Sequence, residues 1–207
     1  TSQEQIDNSP EQKFGTYYVG DIKYKDVNDD GVVDANDYVW DDTPYIPEIM
    51  YGFGSTIKYK AWDFQFMFQG TGNYQIRMYD HHPFCTSANS GFGIVQYIAD
   101  NHWSWDNNRA DAEYPRLTSI ASDNNTQAST YYLRKANYLR LKSLEVGYNF
   151  DMPFMKKIGM NQFRLYASAY NLFTISSFMW GDPESRQSDR PNYPLTRVIN
   201  IGLKVGF

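Results

Sequence analysis

The sequence predicts an all-β protein, an antiparallel transmembrane β-barrel with long extracellular loops. Apolar and polar residues alternate with a period of two over several stretches, whereas helical periodicity is almost absent. Aromatic residues make up 17% of the 207-residue chain, and aromatic side chains are favoured in half-buried strands. Short and long connections alternate between these stretches, which is typical of barrels in the bacterial outer membrane.

The alternation predicts five strands, each with one apolar face. They cover residues 51–60, 64–79, 138–150, 163–173 and 197–207. Strand by strand, the apolar faces carry Tyr51, Phe53, Ile57 and Tyr59; Phe64, Phe66 and Phe68; Leu144, Val146, Tyr148 and Phe150; Phe163, Leu165, Ala167 and Ala169; and Ile199, Ile201, Leu203, Val205 and Phe207. Because successive side chains of a strand point to opposite faces, each set predicts one surface that is turned away from water.

The lengths of the connections predict the orientation of these strands. If the C-terminus is periplasmic, the short connections near 61–63 and 151–162 both lie in the periplasm. The long connections, roughly 80–130 and 174–196, then lie outside the cell. The predicted organisation is an extracellular loop segment over 1–50, which contains a calcium-type loop at 26–37, and barrel strands with their loops over 51–207.

Five strands are too few to close a barrel. The smallest membrane barrels have about eight strands, and an open edge would leave unpaired backbone groups in lipid. We therefore expect these to be the C-terminal strands of a larger barrel, and the polar start "TSQEQIDNSPEQ" indicates a longer polypeptide. A soluble β-sandwich alternates in the same way, so a secreted, calcium-stabilised sandwich that binds glycans stays the alternative.

Composition argues against several other classes of protein. The net charge is −5 and no basic stripe is present, so a nucleic-acid partner is not expected. The sequence contains no run of about 20 apolar residues, so it predicts no membrane-spanning helix. Cys85 is the only cysteine, which excludes an internal disulfide. No nucleophile, base and orienting residue form a recognisable set, so we do not expect an enzyme.

Residues 26–37, "DVNDDGVVDAND", have the spacing of a calcium-binding loop. The predicted ligands are the side chains of Asp26, Asn28 and Asp30, the backbone carbonyl of Val32, Asp34 directly or through water, and Asp37. Gly31 permits the sharp turn between them. No helix pattern flanks the loop, so the pattern favours a structural Ca²⁺ over a helix–loop–helix sensor. The alternative is an acidic, solvated turn without an ion.

Large aromatic residues of the long loops are candidates for contact with a substrate or a partner. They are Trp103, Trp105, Trp180 and Tyr193. The same residues could form the aromatic girdle at the membrane interface or pack the loops together.

Several motifs occur in one order along the chain. They are "GDIKYKDVNDDGVVDANDYV", "YGFGSTIKYKAWDFQFMFQG", "YYLRKANYLRLKSLEVGYNF", "RLYASAYNLFTIS", "GDPES" and "YPLTRVINIGLKVGF". Over residues 20–207 this ordered set resembles the C-terminal end of the SusC/RagA-type TonB-dependent outer-membrane transporters. Asp29 departs from the family pattern, which usually has Gly there.

The resemblance implies a 22-stranded barrel in the outer membrane of a Gram-negative bacterium, in contact with its lipid. It implies import of oligosaccharides or peptides, a SusD-like surface lipoprotein as partner, and energy from the TonB system through a plug. The plug and the remaining barrel strands have no counterpart in this sequence. The calcium-type loop is then expected to hold the shape of an extracellular loop.

Overall fold

The computed structural model describes residues 2–78, 94, 96–108, 110–119, 122–184 and 195–207. These residues cluster into two compact units. The loop unit comprises Thr1–Asp41 and Met78–Tyr132, and the sheet unit comprises Asp42–Arg77 and Leu133–Phe207. The boundary between the units therefore falls at residues 41 and 42, and residues 78–132 cluster with the N-terminal segment.

The described elements follow one another in chain order. They are α1 (Gln3–Asp7), β1 (Glu11–Gln12), β2 (Val32–Val33), a 3-10 turn (Ala35–Asp37), β3 (Ile49–Tyr59), β4 (Trp62–Gly72), β5 (Gln75–Arg77), α2 (Gln96–Asn101), 3-10 turns at Asn124–Thr126 and Thr130–Tyr132, β6 (Leu133–Lys135), β7 (Tyr138–Phe150), α3 (Pro153–Lys157), β8 (Gln162–Tyr170), β9 (Thr174–Ser176) and β10 (Val198–Gly206). The helices have five or six residues, which is too short for a helical period to be visible in the sequence.

The main sheet confirms the predicted antiparallel architecture. Its long strands lie in the order β10–β8–β7–β4–β3, and every neighbouring pair is antiparallel. Each of the five predicted strands overlaps one of these long strands. The short β9 pairs with the start of β7, and β5 pairs with β6 in a separate two-stranded ladder.

Two of the predicted strands end earlier than the alternation suggested. The strand predicted over 64–79 stops at Gly72, and the strand predicted over 163–173 stops at Tyr170. In both cases the next residue is an asparagine with a left-handed backbone, Asn73 at φ 47° and Asn171 at φ 50°. Asparagine tolerates this conformation better than most residues, and it breaks the extended chain.

The short connections lie at one end of the sheet and the long ones at the other. Lys60, at φ 52°, and Ala61 alone connect β3 to β4. The connection from β7 to β8 is also short and contains α3. The long connections, from β4 to β7 and from β8 to β10, start at the opposite end because all neighbouring strands are antiparallel.

The apolar sets of all five long strands fall on one continuous face of the sheet. Register pairs Phe64 with Val146, and Ile201 with Ala167, so the same face extends across neighbouring strands. This face is uncovered: Ile201 is 80% exposed and Ile199 is 66% exposed.

The opposite face carries the polar residues and is buried only in part. Arg140 is only 2% exposed, and Thr71 and Ser168 are also buried. A soluble sandwich hides its apolar face and solvates its polar one. The sheet has the reverse arrangement, as a barrel wall in lipid requires.

The loop unit is held by a small core and many side chain–backbone hydrogen bonds. Val33 and Tyr132 are almost fully buried. β1 and β2 pair in parallel, and the buried amide of Gln12 donates to Ile22 O and accepts from Tyr24 N. Among the described residues, no helix has the length and apolar character needed to cross a membrane.

Candidate functional site

The first half of the calcium-type loop is a series of side chain–backbone turns. Asp26 Oδ2 accepts from the Gly31 N–H at 2.8 Å, Asn28 Oδ1 from the Asp30 N–H at 3.0 Å, and Asp30 Oδ1 from the Val32 N–H at 2.9 Å. Gly31 has φ 85°, a left-handed value that favours glycine.

Asp29 stands where the family pattern usually has glycine. The backbone conformation at this position explains that preference. Asp29 lies at φ 58°, in the left-handed region. Aspartate tolerates this conformation better than most non-glycine residues.

Asp37 closes the loop from its C-terminal end. Its Oδ1 accepts from the Val27 N–H at 2.7 Å, and its Oδ2 accepts from the Asp34 N–H at 2.8 Å. Asp34 in turn caps the 3-10 turn by accepting from the Asn36 N–H. The backbone N–H groups of Val27 and Asp34 lower the pKa of Asp37 below its ordinary value.

The chemistry of the loop suits calcium, which prefers oxygen ligands. The predicted ligands offer only oxygen atoms, and Asp26 Oδ1 is buried without a hydrogen-bond partner. Within the described part of the chain, however, no three His, Cys, Asp or Glu side chains converge on one metal position. The carboxylates of the loop bind backbone N–H groups, and the calcium ion stays a prediction.

The loop unit contains a pocket of about 360 Å³ with aromatic and acidic walls. Its lining includes Trp103, Tyr114, Tyr131, Asp21 and Glu113. Both oxygens of Glu113 accept phenolic hydrogen bonds, one from Tyr97 at 2.7 Å and one from Tyr114 at 3.2 Å. The hydrogen bond to Glu113 is the largest cause that raises the pKa of Tyr97.

Trp103 is built into the wall of this pocket. It is 4% exposed, and its indole N–H donates to Asn108 Oδ1 at 3.1 Å. The ring lies so close to Gly20 that a Cβ there would be 2.0 Å from it. Trp103 is therefore packed within the loop unit and also lines the pocket, and its contact with a substrate or a partner stays a prediction.

The other predicted aromatic contacts lie in different surroundings. Trp105 is 73% exposed, with its ring 5.1 Å from Trp103 and nearly perpendicular to it. Trp180 is half-buried in the segment after β9. Tyr193 lies outside the described residues, as does Cys85.

The structure adds polar clusters that were not predicted. In the loop unit, Arg116 binds Asp21 through two hydrogen bonds of 3.0 and 3.1 Å, and Asn125 donates to the same carboxylate at 2.9 Å. Arg116 and Asn125 follow Asp21 by 95 and 104 positions, and no spacing pattern connects them to it.

On the polar face of the sheet, Arg164 binds two carboxylates. Its Nη2 contacts Glu145 at 2.7 Å, and its Nε lies 3.0 Å from Asp63. The side chain crosses Gly147, where a Cβ would lie 2.3 Å from the guanidinium. The alternation places Glu145 and Arg164 at polar positions of predicted strands, whereas Asp63 lies in the predicted connection 61–63, so the sequence indicates only part of this cluster.

A second arginine cluster lies nearer the long loops. Arg140 of β7 contacts Asp182 and Glu184, which belong to the segment after β9. The sequence shows the "GDPES" motif, but no pattern in it indicates that Arg140, 42 residues before Asp182, is its partner.

Comparisons with known proteins connect this architecture to one family. The chain is 33% identical over its full length to TonB-dependent receptor P26 of Formosa agariphila and covers 21% of that protein. It is 26% identical over 89% of its length to TonB-dependent receptor SusC of Bacteroides thetaiotaomicron, of which it covers 17%. The chain belongs with the SusC/RagA-type TonB-dependent receptors. It spans about a fifth of the length of these relatives.

Solved structures agree with the fold of this SusC/RagA-type segment. The RagAB peptide importer in its closed-closed state matches 86% of the chain with a TM-score of 0.66 at 23% identity, and 19% of that structure's chain is covered. The RagAB peptide transporter matches 80% of the chain with a TM-score of 0.59 and is covered over 18% of its length. No protein-family model matches the chain. The predicted outer-membrane β-barrel fold is thereby confirmed.

Proposed function

We propose that this chain forms strands and external loops of an outer-membrane transporter that imports oligosaccharides or peptides. A SusD-like surface lipoprotein would serve as partner, and the TonB system would supply the energy. The observation that carries the proposal is the uncovered apolar face of the main sheet, whose opposite face holds the charged clusters around Arg140 and Arg164. Such a sheet separates lipid from an aqueous path and has no evident use in a soluble protein.

The relatives support transport over catalysis. The chain resembles proteins named TonB-dependent receptors and structures described as a peptide importer. Its charged clusters are held in ion pairs, as in Arg164 with Asp63 and Glu145. We therefore infer that the residues of this chain bind and guide solute, and that they carry out no bond-breaking step.

Uptake by intact cells tests the proposal. The full-length protein would be deleted from its host and restored on a plasmid, and cells would be given labelled oligosaccharides or labelled peptides. We expect uptake of one class to be lost on deletion, recovered on restoration, and lost again when TonB is inactivated. Unchanged uptake of both classes in the deletion strain would contradict the proposal.

A second measurement distinguishes the transporter from the alternative, a secreted glycan-binding β-sandwich. The exposed apolar face predicts that the purified full-length protein needs detergent or lipid to stay dispersed. A protein that stays monomeric in plain buffer and melts cooperatively would instead support the sandwich.

We further propose that the loop at 26–37 binds one structural Ca²⁺. Its oxygen ligands and the unpartnered Asp26 Oδ1 support this. Calorimetry on the full-length protein should detect calcium binding that the Asp26→Ala and Asp30→Ala double variant abolishes. Asp29→Asn is the matched control, because Asp29 is not a predicted ligand and asparagine tolerates its backbone. Equal binding in the double variant would rule out the site.

A further inference from the structure

The pocket of the loop unit has two carboxylates in its wall, and the structure neutralises only one of them. They belong to Asp21 and Glu113, and none of the described lining residues is a lysine or an arginine. The side chain of Asp21 is 1% exposed, and Arg116 donates to both of its oxygens at 3.0 and 3.1 Å. Asp21 is therefore a buried part of the scaffold whose charge is already matched.

Glu113 has a different set of partners. It is exposed, and each of its carboxylate oxygens accepts from one phenol, that of Tyr97 at 2.7 Å or that of Tyr114 at 3.2 Å. Within the described part of the chain, Glu113 forms no ion pair. A carboxylate offers about four lone-pair sites. Two neutral donors thus hold the Glu113 side chain in place and leave it able to accept further hydrogen bonds from a cation.

The remaining wall of the pocket is aromatic and apolar. The aromatic residues in it are Trp103, Tyr114 and Tyr131. Smaller apolar residues are Ile22, Ala112 and Pro115. Aromatic ring faces attract cations, and apolar walls suit a hydrocarbon stem. The volume of about 360 Å³ is near the lower end of the range for ligand pockets, roughly 300–1,000 Å³. The pocket therefore suits a single cationic side chain or a similarly small group.

We propose that this pocket binds the alkylammonium side chain of a lysine in a peptide, with Glu113 as the counter-ion. The ammonium group has three donors and no acceptor, which matches a carboxylate, and the methylene stem of lysine packs on apolar surface. An amino sugar carries the same charge, but its ring hydroxyls would lose their hydrogen bonds against the apolar wall. The inference deepens the proposed function by naming a class of solute, and it rests on that function only for the peptide being imported.

Calorimetry on the full-length protein in detergent tests the choice of ligand. The probe is the peptide acetyl-Gly-Lys-Gly-amide, whose blocked ends leave the lysine side chain as its only cation. Its matched control contains norleucine, which has the same stem without the ammonium group. The lysine peptide should bind about tenfold or more tightly, because only it forms charge-assisted hydrogen bonds. Equal binding of the two peptides, no binding of the lysine peptide, or tighter binding of glucosamine would each overturn the proposal.

A charge variant tests the position of the site. Glu113→Gln keeps the size of the side chain and removes its charge, so the affinity for the lysine peptide should fall about tenfold or more. Asp106→Asn is the matched control, because Asp106 is an exposed carboxylate of the same unit that does not line the pocket. Its affinity should stay unchanged. An unchanged affinity in Glu113→Gln, or an equal loss in Asp106→Asn, would show that the peptide does not bind at Glu113.

A steric variant keeps the proposal testable if Glu113→Gln does not assemble. Ala112→Leu reduces the volume of the pocket without changing its charge, so it should weaken binding of the lysine peptide, and unchanged binding overturns the site. Binding does not depend on transport. Binding of the lysine peptide by a protein that mediates no uptake therefore contradicts only the proposed function, whereas peptide uptake without Glu113-dependent binding contradicts only this inference.

Discussion

The loop unit and the sheet unit use the same kinds of residue in opposite ways. In the loop unit the aromatic and aliphatic side chains of Val33, Trp103 and Tyr132 are buried. In the sheet unit Ile199 and Ile201 are exposed, and the charged Arg140 is buried. The main sheet therefore exposes aliphatic side chains of the kind that form the core of the loop unit.

The difference follows from the solvent that each unit meets. Water drives apolar side chains into the interior of the loop unit. Lipid has no such effect on the outward face of a barrel, and charged groups there are costly. The polar groups of the sheet unit are consequently on the opposite face, where they pair with one another.

The largest expected effect comes from the charges inside the sheet unit. Arg164→Met would leave Asp63 and Glu145 close together without their cation. Breaking such a pair costs about 3–5 kcal/mol of the free energy of unfolding, which urea titration of the full-length protein in lipid vesicles would measure. Lys204→Met is the matched control, since Lys204 is exposed and is the register partner of Arg164. Equal losses in both variants would mean that the cluster does not stabilise the sheet.

A charge on the outer face tests the assignment of solvents directly. Ile201→Lys should destabilise the protein by roughly 2–4 kcal/mol if the site lies near the bilayer midplane. Asn200→Lys, one residue earlier on the polar face, should change the stability far less. The same titration in vesicles compares the two, and a larger loss for Asn200→Lys would reverse the assignment of the faces.

A smaller loss of stability is expected when the close contact between Gly20 and Trp103 in the loop unit is disturbed. Gly20→Ala places a methyl group against the Trp103 ring at a backbone φ of 92°, so we expect about 2 kcal/mol of local destabilisation. Tryptophan fluorescence during urea titration would report the loss. Gly31→Ala separates strain from packing, because Gly31 has φ 85° but no atom within 4 Å of the added methyl. If both variants lose the same stability, the contact with Trp103 contributes nothing.

The smallest effect concerns the pH dependence of the calcium-type loop. Backbone N–H groups lower the pKa of Asp37 in the folded state, so its stabilising contribution is present above the unfolded pKa and disappears as the pH falls through the folded pKa. Exchange of the Val27 and Asp34 amides should therefore rise, relative to the intrinsic rate, as the medium becomes more acidic than about pH 4. In Asp37→Asn this additional rise should be absent. A parallel profile in the variant would show that Asp37 does not hold the loop.

The alternation of apolar and polar residues predicted the strands, because every second side chain of a strand faces the same surroundings. The alternation in "RVINIGLKVGF" appears in β10 with the expected residues on one face. The strand ends were less accessible, since Asn73 and Asn171 break the chain through their backbone conformation. The three short helices and the two-part organisation of the described chain carry no comparable periodic signal.

The sequence by itself determined the long strands, their apolar face and the family, because all three depend on residues close together in the chain or on ordered motifs. Only the tertiary structure decided that the apolar face is uncovered, which separates a barrel wall from a sandwich. Only the tertiary structure joined Arg140 to Asp182 and Asp21 to Arg116. Such pairs form when distant segments of the chain are brought together, and a carboxylate in a loop does not indicate beforehand which buried guanidinium it will meet.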